Sequence, residues 1–267
     1  MNRIRKTFDT LRSERKKALI PYITPEYPFK GITIPLLREL EKSGADIIEV
    51  GIPFSDPLAD GATIQHSSEI ALKNGARIPA ILEAVKEFRH QSETPVVLMG
   101  YINPILRFGV EQFFSECSAA GVDGVIVPDL PPEEASAVKK AGETHNVSNV
   151  FLIAPTTSDE RMKKIEGAST DFTYCVSVTG VTGAREQFGS NGTLERFLER
   201  VRKNVRKPFV VGFGISTSEH VRKVWTHADG AVIGSALIDV LSNSSNMNEA
   251  VEKSGLFLRS LRPADGR

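Results

Sequence analysis

The feature that most constrains the fold is a regular alternation of short apolar runs and amphipathic segments along the chain. The runs are rich in β-branched residues and end at Gly, Pro, Ser or Thr, as expected of parallel strands that are buried on both faces. Between the runs, apolar residues recur every three or four positions, which predicts helices with one buried face. The alternation therefore predicts an α/β fold with a parallel sheet.

The number of these units matches a (β/α)8 TIM barrel, which typically takes about 250 residues. Strands are predicted at residues 18–24, 46–50, 95–100, 124–127, 149–154, 172–176, 208–211 and 230–234. Helices are predicted between them at residues 31–43, 80–88, 110–120, 132–141, 159–165, 194–201 and 218–224. A doubly wound open sheet would show a similar alternation, but no G-x-G-x-x-G follows the first predicted strand.

No linker, composition break or low-complexity segment divides the chain, so residues 1–267 are predicted to form a single TIM-barrel domain. A basic segment at residues 3–15 precedes the first strand and predicts an extra helix across the barrel floor. After the last strand, residues 247–261 predict a closing helix.

Composition excludes several classes of protein. The 33 Lys and Arg residues balance 33 Asp and Glu residues, whereas nucleic-acid-binding proteins usually carry a basic excess. Two cysteines cannot form a disulfide framework, which favours a reducing cytoplasm. The basic N-terminal segment lacks the apolar core of a secretion signal, and no apolar run is long enough to span a membrane. We therefore expect a soluble cytoplasmic protein.

Polar residues at the carboxyl ends of the strands decide what chemistry a TIM barrel performs. The lysines precede strands or fall in predicted helices and distant loops, so no Schiff-base lysine is expected. The histidines and cysteines form no pair at ligand spacing, and no metal site is predicted.

Two carboxylates remain as candidates for acid–base chemistry. Glu49 lies in the apolar run DIIEV, where an ion is costly to bury unless it has a partner or a chemical task. Asp60 follows in the loop PFSDPLADG, where Asp before Gly is ordinary turn chemistry, so the residue type alone favours a plain turn role over a catalytic one. If both face one pocket, their unequal surroundings would let them divide acid and base work. Asp129, in PDLPPEE, is expected to cap the helix that follows it.

Three glycine-bearing turns late in the chain point to an anion. They are TGVTG at 179–183, GFGIS at 212–216 and Gly234–Ser235. The loops after the seventh and eighth strands of a TIM barrel often bind phosphate, because glycine and a helix start expose backbone N–H groups. Tyr174 lies in a strand near the same end, where it either donates a hydrogen bond or packs in the core.

The motifs then resemble one family. IEVGIPFSDPLADGATIQ at 48–65 is similar to the signature of tryptophan synthase α subunits, and similar motifs follow in order from residue 16 to residue 241. They are LMGYINPIL (98–106), GVDGVIVPDLPPEE (121–134), FLIAPTTSDER (151–161), YCVSVTGVTGARE (174–186), VGFGIS (211–216) and ADGAVIGSAL (228–237). Ala62, where Pro is usual, and TPEYPF at 24–29, where a Gly-Asp-Pro turn is common, are departures confined to loops.

The resemblance implies a lyase of L-tryptophan biosynthesis that cleaves indole-3-glycerol phosphate to indole and glyceraldehyde 3-phosphate by a retro-aldol reaction. Glu49 and Asp60 match the two catalytic carboxylates of the family. The resemblance implies that Glu49 transfers protons at ring C3 and at the glycerol hydroxyl, that Asp60 stabilises the ring N–H, and that Tyr174 lines the pocket. Other implied substrate-binding residues are Tyr22, Met99, Tyr101, Thr182, Gly183, Phe213, Gly214, Gly234 and Ser235.

The resemblance also implies a partner, the β subunit, in an αββα tetramer in which pyridoxal phosphate (PLP) belongs to the partner and this chain carries no cofactor. Residues 103–108 and the PDLPP loop are the expected contacts, and the loops 54–62 and 178–191 are candidate lids. A sugar-phosphate isomerase, a non-enzymatic effector of a β subunit and a stand-alone indole-producing lyase are the alternatives.

Overall fold

The computed structural model describes residues 2–176, 192–212 and 214–263, and its described strands form one parallel sheet. The strands are β1 (Ala18–Ile23), β2 (Ile48–Gly51), β3 (Val96–Met99), β4 (Gly124–Ile126), β5 (Ser148–Val150), β6 (Leu152–Ile153), β7 (Thr173–Val176), β8 (Phe209–Gly212) and β9 (Gly230–Ile233). Their order in the sheet is β5-β4-β3-β2-β1-β9-β8-β7-β6. Because Phe151 alone separates β5 from β6, the sheet returns to its starting point, and the TIM barrel is confirmed.

Twelve helices surround the barrel in the described part of the chain. They are α1 (Arg3–Ser13), α2 (Thr33–Lys42), α3 (Ala62–Lys73), α4 (Ile78–Arg89), α5 (Ile102–Phe108), α6 (Val110–Ala120), α7 (Ser136–His145), α8 (Asp159–Ala168), α9 (Thr193–Asn204), α10 (Ser218–Trp225), α11 (Ser235–Ser242) and α12 (Met247–Leu261). No helix of these described residues is long and apolar enough to cross a membrane.

All eight predicted strands exist, but the run at 149–154 is divided into β5 and β6. The first half pairs with β4, where Gly124 lies opposite Ser148, and the second half pairs with β7, where Tyr174 lies opposite Leu152. Strands in a closed barrel are tilted and staggered, so the two ends of one run can meet different neighbours. The prediction of a single uninterrupted strand was therefore wrong in detail.

Three helices were absent from the sequence prediction, namely α3, α5 and α11. Helix α3 buries small polar residues, among them Ser67 and Ser68, so its buried face is not an apolar stripe. Helix α5 is seven residues long, too short for a clear 3.6-residue period. Helix α11 starts at Ser235, one residue after the glycine that ends the strand run. The helix predicted from residue 132 begins at Ser136, beyond Pro131 and Pro132 of the PDLPP loop.

Helix α1 covers the barrel floor, as the basic N-terminal segment predicted. Its apolar face buries Ile4, Phe8 and Leu11, and the ring of Phe8 packs 5.6 Å from that of Phe172 between centroids. Asn2 caps the helix by accepting a hydrogen bond from the backbone N–H of Ile4. Phe172 directly precedes β7, so α1 closes the amino ends of the strands and leaves the carboxyl ends for chemistry.

Candidate active site

Glu49 is an acidic side chain inside the barrel wall. It lies in β2, where the register places it between Tyr22 of β1 and Val97 of β3. The residue is 2% exposed, and its neighbours along the strand, Ile48 and Val50, are fully buried. Glu49 is therefore buried within the barrel rather than exposed on its surface.

Asp60 approaches this pocket from the loop between β2 and α3. The loop ends at Gly61, the N-cap of α3, and the backbone N–H of Asp60 donates to the carbonyl of Pro57 at 3.1 Å. The Asp60 carboxylate raises the pKa of Glu49 by charge repulsion, which places the two acids in one electrostatic environment. The two carboxylates are thus close enough for the charge of one to affect the ionisation of the other.

The two acids have different proton affinities. Burial, reinforced by the negative charge of Asp60, raises the pKa of Glu49 to about 8. Burial also raises the pKa of Asp60, to about 6, while a hydrogen bond from Tyr101 opposes the rise. Between these two values Glu49 carries a proton and Asp60 is ionised, so a neutral acid and a charged carboxylate share the pocket.

Tyr101 connects the Asp60 loop to the end of β3. Its hydroxyl oxygen accepts a hydrogen bond of 2.9 Å from the backbone N–H of Ala59 and interacts with the Asp60 carboxylate. The hydroxyl proton is therefore free to point at Asp60, which explains why this bond lowers the pKa of the acid. The ring of Phe54, from the same loop, lies 5.5 Å from the Tyr101 ring between centroids.

Tyr22 and Tyr174 are buried and interact electrostatically with both carboxylates. Burial is the main reason that the pKa of each hydroxyl is raised, and the charges of Glu49 and Asp60 add to it. A methyl group added to Gly51 would overlap the Tyr22 hydroxyl, and one added to Gly212 would overlap the Tyr174 hydroxyl. Each glycine therefore makes room for a tyrosine from the neighbouring strand.

The predicted anion-binding turn lies next to this group of side chains. Gly234 follows β9 directly and forms the N-cap of α11, which starts at Ser235. A methyl group on Gly234 would come within 3.9 Å of the Tyr22 Cβ, so the helix start adjoins the pocket wall. The first N–H groups of a helix have no intrahelical partner, which makes them available to an anion.

Met99 and Gly214 are two further predicted site residues in the described part of the chain. Met99 ends β3 opposite Gly51 and is partly buried, and Gly214 is exposed with a φ of +75°. Thr182, Gly183, Phe213 and the 178–191 loop lie outside the described residues.

Asp129 has a different task from the one predicted. Its carboxylate accepts a hydrogen bond of 3.0 Å from the backbone N–H of Ile102, at the start of α5. It therefore caps the helix after β3 rather than the helix that follows it in sequence, because the carboxyl ends of neighbouring strands lie side by side.

The described residues contain no group of three or more His, Cys, Asp or Glu side chains that could hold a metal ion.

Gln65 also contacts the site, and the sequence analysis did not single it out. Its side-chain amide donates to the carbonyl of Asp60 at 2.9 Å and to that of Pro57 at 3.3 Å. The signal in the sequence was a polar side chain in the first turn of a helix that follows Asp-Gly. Such side chains often form hydrogen bonds with the preceding backbone.

A closed parallel barrel with two interacting carboxyl groups at the carboxyl ends of its strands is the arrangement expected of a TIM-barrel enzyme. Comparison with known proteins identifies the family to which the chain belongs. Residues 8–263 match the family model described as "Tryptophan synthase alpha chain". The chain belongs to the tryptophan synthase α chain family and is a carbon–carbon lyase of tryptophan biosynthesis, whose reaction is the cleavage of indole-3-glycerol phosphate.

Relatives match along nearly the whole chain. The tryptophan synthase α chain of Roseiflexus castenholzii is 47% identical over 263 residues, covering 98% of this chain and 100% of the relative. The crystal structure of the α subunit from Legionella pneumophila superposes with a TM-score of 0.90 at 39% identity, covering 98% of this chain and 97% of that one. A chain from the α2β2 complex of Pyrococcus furiosus gives a TM-score of 0.85 at 44% identity, covering 92% and 98%.

Replacing Glu49 by Gln is expected to stabilise the protein in a pH-dependent way. Burial raises the pKa of Glu49 from 4.5 to about 8, so the unfolded chain loses this proton first as pH rises. The wild-type protein therefore loses stability between these values, whereas Gln is neutral throughout. Near pH 8.5 the variant should gain up to roughly 4 kcal/mol in unfolding free energy, and near pH 4 very little.

Denaturant unfolding across this pH range measures the difference, with the exposed Glu134→Gln as the control. A stability difference between Glu49→Gln and wild type that stays constant with pH would contradict the assigned cause.

Proposed function

We propose that Glu49 and Asp60 carry out the cleavage of indole-3-glycerol phosphate through this chain's own side chains. The observation that carries the proposal is the pairing of a buried Glu49, with a pKa of about 8, and a neighbouring Asp60, with a pKa of about 6. At neutral pH this arrangement offers one proton donor and one anion to the substrate.

The proton steps follow from these ionisation states. Glu49 donates its proton to C3 of the indole ring, which becomes an iminium whose N–H carries positive charge. The Asp60 carboxylate stabilises that charge. Glu49 then takes the proton of the hydroxyl group next to the ring, and the bond between C3 and the glycerol carbon breaks. The bond electrons restore the indole ring, the hydroxyl becomes the aldehyde of glyceraldehyde 3-phosphate, and Glu49 is protonated again.

The pocket walls would hold the indole ring by apolar contact and hydrogen bonding. We assign this task to Tyr22, Met99, Tyr101, Phe213 and Tyr174. The burial of Tyr22 and Tyr174 beside the two acids supports it, since their raised pKa values keep both hydroxyls neutral as hydrogen-bond donors. We keep Tyr174 as a catalytic-site residue that contacts the reacting part of the substrate.

The phosphate would bind at the glycine-bearing turns. We assign Thr182, Gly183, Gly214, Gly234 and Ser235 to this cradle. The start of α11 beside Tyr22 supports the assignment, because the backbone N–H groups of the first turn and the helix dipole both favour an anion there.

We further propose a partner of the β-subunit type, in an αββα assembly in which PLP belongs to the partner. The α2β2 complex of Pyrococcus furiosus supports this, because one of its chains is similar over 92% of this sequence. Leu106, in the 103–108 segment expected to meet the partner, is a large apolar side chain that is 57% exposed.

The proposal treats the 267 residues as one domain working in the cytoplasm. A single cluster of buried apolar residues extends from α1 to α12, which supports the first point. Cys117 and Cys175 are both buried and free, which fits a reducing compartment.

Glu49→Gln and Asp60→Asn are each expected to lower kcat for indole release about 100-fold or more, since one loses the proton carrier and the other the stabilising anion. Indole formation by the purified chain from indole-3-glycerol phosphate measures this. Asp56→Asn, an exposed acid in the same loop, is the matched control. Turnover within a few-fold of wild type in either site variant would refute its assigned role.

Gly234→Val is expected to weaken binding of a phosphate-bearing ligand about tenfold while the fold is kept. The nearest protein atom to an added Cβ is the Tyr22 Cβ at 3.9 Å, which is ordinary contact, so the branched side chain would crowd the ligand instead. Calorimetric binding of glycerol 3-phosphate measures the change, with Gly167→Val as the control because a Cβ there meets nothing within 4 Å. Equal affinity in Gly234→Val and wild type would remove Gly234 from the cradle.

Leu106→Asp is expected to weaken activation by a purified β subunit about tenfold, since a charge would have to be buried at the contact. Leu256→Asp is the matched control, because Leu256 is 55% exposed but lies on α12. Indole-3-glycerol phosphate turnover titrated with β subunit gives the half-saturating concentration. If both variants respond to β subunit like wild type, α5 is not part of the contact.

A further inference from the structure

The position of Asp60 depends on a loop whose tip is exposed to solvent. Pro57 is buried, but Leu58 is 93% exposed and Ala59 is also exposed. Short exposed loops readily sample several backbone conformations. A carboxylate at the end of such a loop keeps a defined position only if other groups hold the backbone.

Side chains outside the loop hold its backbone at two places. Tyr101 accepts a hydrogen bond from the Ala59 N–H on the side of β3. On the side of α3, the Gln65 side-chain nitrogen donates to the Asp60 carbonyl at 2.9 Å and to the Pro57 carbonyl at 3.3 Å. Pro57 also accepts from the Asp60 N–H at 3.1 Å, so Gln65 closes both ends of the turn that carries the acid.

Gln65 is suited to this task because its own base is fixed. Its backbone N–H donates to the Gly61 carbonyl at 3.0 Å in the first turn of α3. One turn further, the Ser67 hydroxyl donates to the Ile64 carbonyl at 2.8 Å and lies 2.7 Å from the Thr24 hydroxyl, which follows β1. The start of α3 is thereby tied to the barrel wall, and Gln65 transmits that fixed position to the loop.

The orientation of the Gln65 amide follows from its partners. Both partner atoms are carbonyl oxygens, which only accept hydrogen bonds, so the NH₂ group must face them and both its protons are used. A side chain of the same length without these protons cannot replace it.

We propose that Gln65 is a positioning residue for the cleavage reaction, holding the 57–60 turn so that the Asp60 carboxylate stays in the pocket with Glu49. The inference rests on the proposed role of Asp60. Gln65 itself is exposed and contributes no apolar side chain to the core, so its loss should leave the barrel intact.

Release of the turn would change the surroundings of Asp60 as well as its position. Burial is the main cause that raises the pKa of Asp60 to about 6. A loosened loop admits water to the carboxylate, and the pKa should fall towards 3.8, its ordinary value. A residue that merely supported the start of α3 would not move this ionisation.

The test compares Gln65→Met, which keeps the length but removes both donors, with wild type and with Gln91→Met. Gln91 is an exposed glutamine at the amino end of β3, on the barrel floor. We expect kcat for indole release to fall roughly 10- to 100-fold in Gln65→Met, because small displacements of a catalytic group cost that much. KM should change less than threefold, and the melting temperature should match that of Gln91→Met. Gln65→Glu should lose more, since its carboxylate repels both carbonyls.

The ionisation of Asp60 provides a second measurement that does not depend on turnover. A carboxyl-carbon NMR titration, with the Asp60 signal assigned by its absence in Asp60→Asn, should give a pKa about one unit lower in Gln65→Met than in wild type. The acidic limb of the kcat/KM profile should move in the same direction.

An unchanged kcat and an unchanged Asp60 titration in Gln65→Met would overturn the inference. A fall in kcat accompanied by a lower melting temperature and an unmoved titration would also overturn it, because the role would then be structural. If the wild-type chain forms no indole with or without β subunit, the proposed function fails, and the NMR titration still decides whether Gln65 holds Asp60.

Discussion

The burial of one carboxyl group beside another governs this active site. Glu49 is 2% exposed within an apolar strand, and the charge of Asp60 opposes its ionisation. Ionising a carboxyl group in such a site costs free energy, because an apolar environment solvates the charge poorly. The raised pKa keeps Glu49 protonated at neutral pH, which avoids that cost, and in the proposed mechanism this proton is the one donated to the substrate.

The surrounding architecture serves the geometry of this pair. Glu49 is fixed by strand pairing on both sides, through Tyr22 and Val97, whereas Asp60 is on a loop and needs added contacts. Tyr101 and Gln65 supply them from opposite sides. Strand pairing thus holds Glu49, whereas side chains hold Asp60. Asp60 is therefore the easier of the two acids to displace.

The barrel and the burial of Glu49 in a strand could be predicted from sequence, because each leaves a local mark. Alternating runs indicate the strands, and an acid inside DIIEV stands out against apolar neighbours. The missed features depend on neighbours distant in sequence. Asp129 caps α5 through Ile102, and the 149–154 run splits because its halves pair with different strands. Helix α5 is too short for a clear period, and α11 follows the strand run so closely that the two were not separated.

Leu58 places a large apolar side chain on the surface of the loop that carries Asp60. This side chain is 93% exposed and stands two residues before Asp60 in the same turn. A protein surface that covers Leu58 would favour some conformations of that turn over others, and so would a substrate that binds Asp60 as proposed. Thermodynamic linkage makes such preferences mutual. A surface that favours the conformation in which Asp60 meets substrate would therefore bind the substrate-loaded enzyme more tightly than the free enzyme. Substrate would bind more tightly, by the same factor, to the enzyme that carries this surface.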